Sequence, residues 1–576
     1  MSKKEEQISK EAFEVHTQEE FEVQSQYKDT SNLRRVAEGI PVAAWFILVN
    51  EFCERFAYYG GSTPFQNYVQ NGPYDKTPGQ LGRGQSTATA LQNFFTFFCY
   101  FTPVLGAIVA DQYIGRYWTI IIFSIVYMIG WLILTTTSLP AAFESGAGFP
   151  GYIVSLIVIG FGTGGIKGIV SPLCADQYRR TENYVKELPS GELVMVDYDL
   201  SIQHLYNWFY WAINVGSLLG GIICPLLEEH VGFWAAFLLP TCMFAVAILV
   251  FIAGTKLYYK PKATSSVILK AWEVITFANK QAKLPDNKQA RKECKDVLDF
   301  AKRNSEIPAV KQWTPEAEQA ASKWSDSFVD ELKQAVMACK IFVPLSIYWV
   351  CYSQLSNNLI SQAGVMSRPP SLPNDIMNNF DPIALIIFIP ITDMFFYPML
   401  RRLNINFGSQ LRITVGFFLG CLSMVYAAIV QHYIYQDPLF ISSGGEESSI
   451  SVFIQIPCYF LIAFSEIFAS ITSIEYAYTH APASMKSLVS ALSLWPNCVS
   501  ALISLAISPA SHDPNMVWVY TGVACGSFVC GCLYYYLFAH YDTLDEEFKL
   551  KKMMANQNYL PEAAATAEAG EKVSVA

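Results

Sequence analysis

The sequence predicts an all-α integral membrane protein, with twelve transmembrane helices in two six-helix bundles and both termini in the cytoplasm. Three observations carry that prediction. The chain of 576 residues is 52% hydrophobic and 15% charged, which is too apolar for a soluble protein of this size. Its apolar runs number twelve, six on each side of a polar stretch at 255–340. Its basic residues are sorted: of 39 Lys and Arg, 34 fall in the tails and even-numbered loops, three in odd-numbered loops (Lys76, Arg83, Arg368) and two inside spans (Arg55, Lys167). Even with the sixteen in the central stretch set aside, the bias is eighteen to three. The positive-inside rule places that side in the cytoplasm.

The elements follow in order. Residues 1–40 are polar and mixed in charge, a cytoplasmic tail expected to be disordered. The first bundle covers 41–254, with spans at 42–70, 87–110, 117–138, 151–174, 202–226 and 233–254. A cytoplasmic loop covers 255–340. Within it Val267, Leu269, Trp272, Ile275 and Phe277, and again Phe328, Leu332, Val336 and Ile341, recur at near-helical spacing and predict two amphipathic helices. The second bundle covers 341–540, with spans at 341–364, 378–400, 413–432, 452–477, 487–509 and 516–540. Residues 541–576 form a charged, then Ala/Glu-rich, cytoplasmic tail.

Composition narrows the function. The net charge of −10 sits largely in the tails and central loop and points to no nucleic acid. The 14 Cys are scattered, with no paired CxxC, and are expected to act as small buried hydrophobes. No metal cluster, nucleophile triad or nucleotide loop stands in a sensible context, so neither an enzyme nor a cofactor is expected.

The chemistry is in the spans. Glu51, Glu54 and Arg55 lie in the first long apolar run, where a charge costs roughly 2.5–3.5 kcal/mol and is usually functional. Their i,i+4 and i,i+3 spacings put all three on one helical face. A packing ion pair needs two charges, and this site has three. Arg stays protonated and one carboxylate neutralises it, which leaves the other as the candidate to gain and lose a proton.

Lys167 lies in Gly160-Phe-Gly-Thr-Gly-Gly-Ile-Lys-Gly168. The run formally matches GxGxxG, but inside a span its glycines suit close packing or a hinge, with the lysine facing a cavity. Glu466 lies ~14 residues into its span, ~21 Å below the outer surface, while Arg55 is ~20 Å above the inner one. Both depths are near the middle of a core ~30 Å thick. One bundle therefore offers fixed positive charge and the other fixed negative charge, the complement of a zwitterion. Glu51, Glu54 and Glu466 against Arg55 and Lys167 leave one negative charge in excess, so at least one proton is expected to travel with each substrate. Tyr58, Tyr59, Tyr68, Tyr210 and Asn214 are the candidate polar lining; Tyr210 and Asn214 are i,i+4.

These segments resemble the proton-dependent oligopeptide transporter (POT/PTR) family of the major facilitator superfamily. Glu51-x-x-Glu54-Arg55-Phe56-x-Tyr58-Tyr59-Gly60 is similar to its first-helix signature, and Phe209-Tyr210-x-x-Ile213-Asn214-x-Gly216-Ser217-Leu218 to its fifth. The run around Lys167 with Asp176-Gln177, the Ala110-Asp111…Gly115-Arg116 turn, and Glu466 with Tyr476, Tyr478, Pro482, Met485 and Lys486 fit as well. Ser62-x-Pro64-Phe65-Gln66-Asn67-Tyr68 looks most like the fungal branch.

The resemblance implies the major facilitator fold and symport of di- and tripeptides with protons by alternating access, in a multi-pass protein of the plasma membrane. It implies that Arg55 and Lys167 hold the peptide carboxylate, that Glu466 and Asn214 meet its ammonium, and that Tyr59, Tyr68 and Tyr210 contact it. Glu51 and Glu54 would couple the proton with Arg55. The implied partners are the peptide, protons and the lipid bilayer, with a monomer assumed. Four positions depart from the family's pattern. Ser62 stands where many relatives have a second basic residue, and Asn93 where some have a His. Ser353 replaces an acid before Gln354, and Asp381 stands where some have Asn. Asn93, Ser353 and Asp381 are therefore gating or secondary candidates, and Asp381 is a candidate for the lost acidic role. A same-fold carrier of another small solute such as nitrate, and a peptide sensor without net transport, remain alternatives.

Overall fold

Apolar helices dominate because a bilayer offers backbone groups no water, so each span must satisfy its own hydrogen bonds. The computed structural model describes residues 33–542, apart from 181–182, 189–190, 262–265, 285–290, 292–295, 304–314, 404–406 and 483–484. Most of both predicted tails therefore lies outside the described residues. In chain order the helices used below are α1 (Val42–Ser62), α2 (Phe65–Gln70), α3 (Gln85–Val109), α4 (Arg116–Thr137), α5 (Gly148–Gly164), α6 (Val170–Ala175), α7 (Tyr198–His230), α8 (Phe233–Ala253), α9 (Val267–Ala282), α10 (Asp326–Cys339), α11 (Phe342–Ser353), α12 (Asn358–Val365), α13 (Phe380–Ile391), α14 (Ser409–Gln436) and α15 (Ile456–Glu466).

Among the described residues ten helical stretches are long and apolar enough to cross a membrane. Gly148–Gly164 is a shorter apolar helix, and α1 has 21 residues, three of them charged. At 1.5 Å per residue α1 is ~32 Å long, enough for a hydrocarbon core.

The chain divides into two compact units. Among the described residues the first joins those up to Pro64 with Thr102–Ser266, and the second joins Phe65–Phe101 with those from Val267 onward. In the first, α1 packs against α7 and α8, and α4 against α5. Glycines set the approach. A Cβ on Gly216 would meet the Phe52 carbonyl oxygen at 2.5 Å, and one on Gly162 the Tyr127 backbone at 2.6 Å. This unit also holds a small sheet, of order β1-β3-β2, in an otherwise helical fold. β1 (Arg34–Val36) runs parallel to β3 (Leu193–Val196), which is antiparallel to β2 (Tyr184–Glu187). Arg34 pairs with Glu192 at 3.0 Å and Arg35 with Asp197 at 3.1 Å.

In the second unit α11, α14 and the turn Ile467–Ile471 contribute to a core that includes Tyr348, Phe417 and Ala469 and runs on into the central loop through Leu298, Phe300, Trp324 and Leu332. The two amphipathic helices expected there are α9 and α10. The expected stripe holds in part: Val267, Ile275 and Phe277 pack half-buried against this core, Ala271, Val274, Ala278 and Ala282 form its fully buried centre, and Trp272 is exposed. Small residues allow the closer approach. Trp324 anchors the loop by donating from Nε1 to the Ala301 carbonyl at 3.0 Å.

Candidate functional site

The charged triplet sits on α1 because the helix starts after Pro41 and carries its polar residues at i, i+3 and i+4. The Arg55 guanidinium reaches both acids: Nε lies 3.0 Å from Glu51 Oε1 and 2.5 Å from Glu54 Oε2. Glu54 has no exposed side-chain surface, and Glu51 and Arg55 keep 5% each. Across the helix interface Gly216 of α7 stands against Phe52 and the Arg55 Cβ, so the absence of a side chain there lets α7 press on the triplet.

Lys167 is delivered by a break. α5 ends at Gly164 and α6 starts at Val170, with turn bonds between, such as Lys167 N to the Thr163 carbonyl at 3.0 Å. The expected span 151–174 is thus two helices joined by a glycine-rich turn. Irregular backbone at membrane depth is tolerated where protein or a cavity surrounds it. The Lys167 ammonium lies 5.3 Å from the centre of the Tyr58 ring and Arg55 5.6 Å from it, so one ring carries both cations. Lys167 is also within electrostatic reach of Glu51 and Glu54. Tyr59 and Tyr210 of the same unit are exposed. Asn214 spends its amide on the Tyr210 carbonyl at 2.8 Å.

Tyr68 is not grouped with the triplet. Helix α1 stops at Ser62, Pro64 intervenes, and Tyr68 lies on α2 in the second unit with no exposed surface.

Glu466 closes α15 where the chain widens into a π-helical turn, Ile467–Ile471. Such turns recur at functional positions. Asp381, in the first turn of α13, is buried and accepts from the Tyr352 hydroxyl at 3.1 Å. Tyr352 is a site residue that the sequence reading passed over. Its only signal was its place beside Ser353. Ser353 bonds the Val350 carbonyl at 2.8 Å and Ser504 Oγ at 3.2 Å, and Asn93 accepts from Asn357 at 3.3 Å. Among the described residues no group of three His, Cys, Asp or Glu is placed to hold a metal ion.

A model of the POT family matches residues 117–523. The chain belongs to the POT family. It is 44% identical over 523 residues to a probable peptide transporter of Schizosaccharomyces pombe, which covers 90% of this chain and 81% of that one. It is 40% identical to a peptide transporter of Saccharomyces cerevisiae, over 93% of this chain and 84% of the relative. In fold it resembles the crystal structure of an auto inhibited POT family peptide transporter, with a TM-score of 0.67 and 23% identity, covering 87% of this chain and 97% of the other. POT-family membership makes it a multi-pass membrane protein of the transporter class and not an enzyme.

Proposed function

We propose that this POT-family chain is a proton-coupled symporter importing di- and tripeptides by alternating access. The observation that carries the reading is one guanidinium, Arg55, held by two buried carboxylates on the same helix. With Lys167 in reach, the first unit balances two acids against two cations. A peptide carboxylate drawn to Arg55 and Lys167 upsets that balance by one negative charge. A proton on Glu51 or Glu54 restores it, which ties proton uptake to peptide uptake. The peptide ammonium finds its complement in Glu466 of the second unit, with Asn214 as a further polar contact. Tyr59, Tyr68 and Tyr210 are proposed peptide contacts. Because short peptides share charged ends and differ in side chains, recognition by the ends permits a broad substrate range.

The same proposal takes the protein to cross the plasma membrane twelve times, with both termini in the cytoplasm. The names of its fungal relatives support peptide as the cargo.

The test is dialanine uptake into proteoliposomes, with and without an inward proton gradient, for the natural chain and Glu54→Gln. Gradient-driven accumulation that vanishes in the variant while peptide exchange survives supports the reading. Folded protein that neither takes up nor exchanges dialanine points to another cargo or to a sensor.

A further inference from the structure

The small sheet of the first unit lies where α1 and α7 begin. β1 leads into α1, and β3 leads into α7, which starts at Tyr198. The two strands pair in parallel, from Arg34 with Val194 to Val36 with Val196. The helices run in parallel as well: Gly216 of α7 stands against Phe52, and Gly220 against Phe56 and Gly60.

Asp197 is the centre of the junction. Its backbone N–H donates to the Val36 carbonyl at 3.0 Å, and its Oδ2 accepts from Arg35 Nη1 at 3.1 Å. Its Oδ1 accepts from Leu200 N at 3.4 Å, so the same carboxylate caps α7. Ser201 Oγ donates to the Asp197 carbonyl at 2.7 Å and accepts from Glu38 N at 2.8 Å. Both Asp197 and Ser201 are buried. The Glu38 carbonyl accepts in turn from the Tyr178 hydroxyl at 3.4 Å, just past the end of α6. At the rim Arg34 grips Glu192 through Nε and Nη2, each at 3.0 Å. The chain from β1 to Glu38 thus meets the starts of α1 and α7 and the end of α6, which follows Lys167.

Two kinds of contact hold α1 on α7. The glycines bring the backbones close but present no side chains to interdigitate, so they set distance better than axial position. A β-ladder fixes position along its axis, in steps of ~3.3 Å. A slip of one step would move Arg55 by about the length of a hydrogen bond against Asn214 of α7. We infer that β1 is a clasp that sets the axial register of α1 on α7, with Asp197 the positioning residue at its centre, so that the segment before the first span tunes peptide binding at Arg55. The inference rests on the symport reading for what the triplet does.

The test uses the full chain carrying Arg35→Pro with Val36→Pro. Side-by-side N–H groups point to opposite edges of a strand, so one of the two faces β3, and the pair of prolines opens the ladder and removes the Arg35 charge. Amide hydrogen exchange over Val194–Val196 and the first turn of α1 should quicken. In proteoliposomes the dialanine KM should rise several-fold and the pH of half-maximal uptake should shift, neither of which follows from a smaller amount of folded protein. A ladder that opens while KM and the pH profile stay natural overturns the inference. Should the proline variant fail to fold, Asp197→Asn decides: it keeps a capping oxygen and loses the charge facing Arg35, and an unchanged KM overturns the inference. A natural chain that ignores the proton gradient removes the symport reading. Exchange at the start of α1 then decides alone: quickened in the proline variant it sustains the clasp, and unchanged it overturns it.

Discussion

Asn67 and Asn374, 307 residues apart, exchange two amide hydrogen bonds, each of 2.9 Å, inside the second unit. Both side chains are buried, and Asn374 also donates to the Ile360 carbonyl at 2.9 Å. Neighbouring bonds are of the same neutral kind. Gln66 donates to Ser361 at 3.0 Å, and Thr89 to Asn358 at 3.2 Å. Uncharged amides tie α2 and α3 to α12, with little charge to desolvate. Asn374→Ala strips both bonds from Asn67 and is expected to destabilise by about 1–3 kcal/mol. In a double-mutant cycle on thermal midpoints, Asn67→Ala with Asn374→Ala should cost less than the two singles added. Strict additivity would remove the coupling.

Arg55 approaches both acids through one atom, Nε, part of a planar, delocalised guanidinium that a lysine ammonium does not reproduce. Arg55→Lys keeps the charge and loses one carboxylate contact, so gradient-driven peptide uptake is expected to fall at least ~10-fold, about 1.4 kcal/mol. Initial rates of dialanine uptake decide the matter, and a lysine variant at the natural rate would discount the bridge.

The charges were legible and their surroundings less so. Glu51, Glu54, Arg55 and Glu466 stand out because ionisable groups are rare in apolar runs, and i,i+4 spacing alone places Glu51 on Arg55. The break after Ser62 was written in Gly60-Gly61 and Pro64, yet the apolar run continues through it and hides the change of unit at Phe65, ahead of Tyr68. Tyr352 was hidden for another reason. Its partner Asp381 is 29 positions away, and such distant pairing leaves no periodic trace. The three-residue strand β1 was hidden too, because it pairs only with a distant hairpin. In α9 Val267, Ile275 and Phe277 were legible, but Trp272 is exposed and the closest packing falls to alanines, which carry little apolar signal.

Gly216 tests how tightly α7 sets the triplet. A Cβ there meets the Phe52 carbonyl at 2.5 Å, a backbone atom that only a shift of α1 or α7 would clear, and the Arg55 Cβ lies beside it at 3.4 Å. Gly216→Ala is therefore expected to cost about 1–3 kcal/mol of stability and to depress uptake by displacing Arg55. Gly522, which has open space around its missing Cβ, supplies the control. Gly522→Ala should hold or raise the thermal midpoint, by up to ~1 kcal/mol of helix propensity. Equal losses at the two positions would show that close approach at Gly216 is not the cause.

Asp437 gives stability a pH dependence outside the spans. It caps the short helix Pro438–Ser442 by accepting from Leu439 N at 3.1 Å, and it accepts from Ser448 Oγ at 2.7 Å and from Ser449. These bonds, the Ser448 hydroxyl foremost, hold its carboxyl down at about 2. A free aspartate titrates near ~3.9, so the folded state binds the proton less readily than the unfolded chain. The stabilisation is present in full above pH ~4 and is lost as pH falls toward about 2. Asp437→Asn keeps a capping oxygen and removes the titration. Thermal midpoints of the natural chain should exceed those of the variant at neutral pH, and the gap should close between pH ~4 and about 2. A gap that stays constant over that window would mean that the carboxylate's charge contributes nothing to holding the loop.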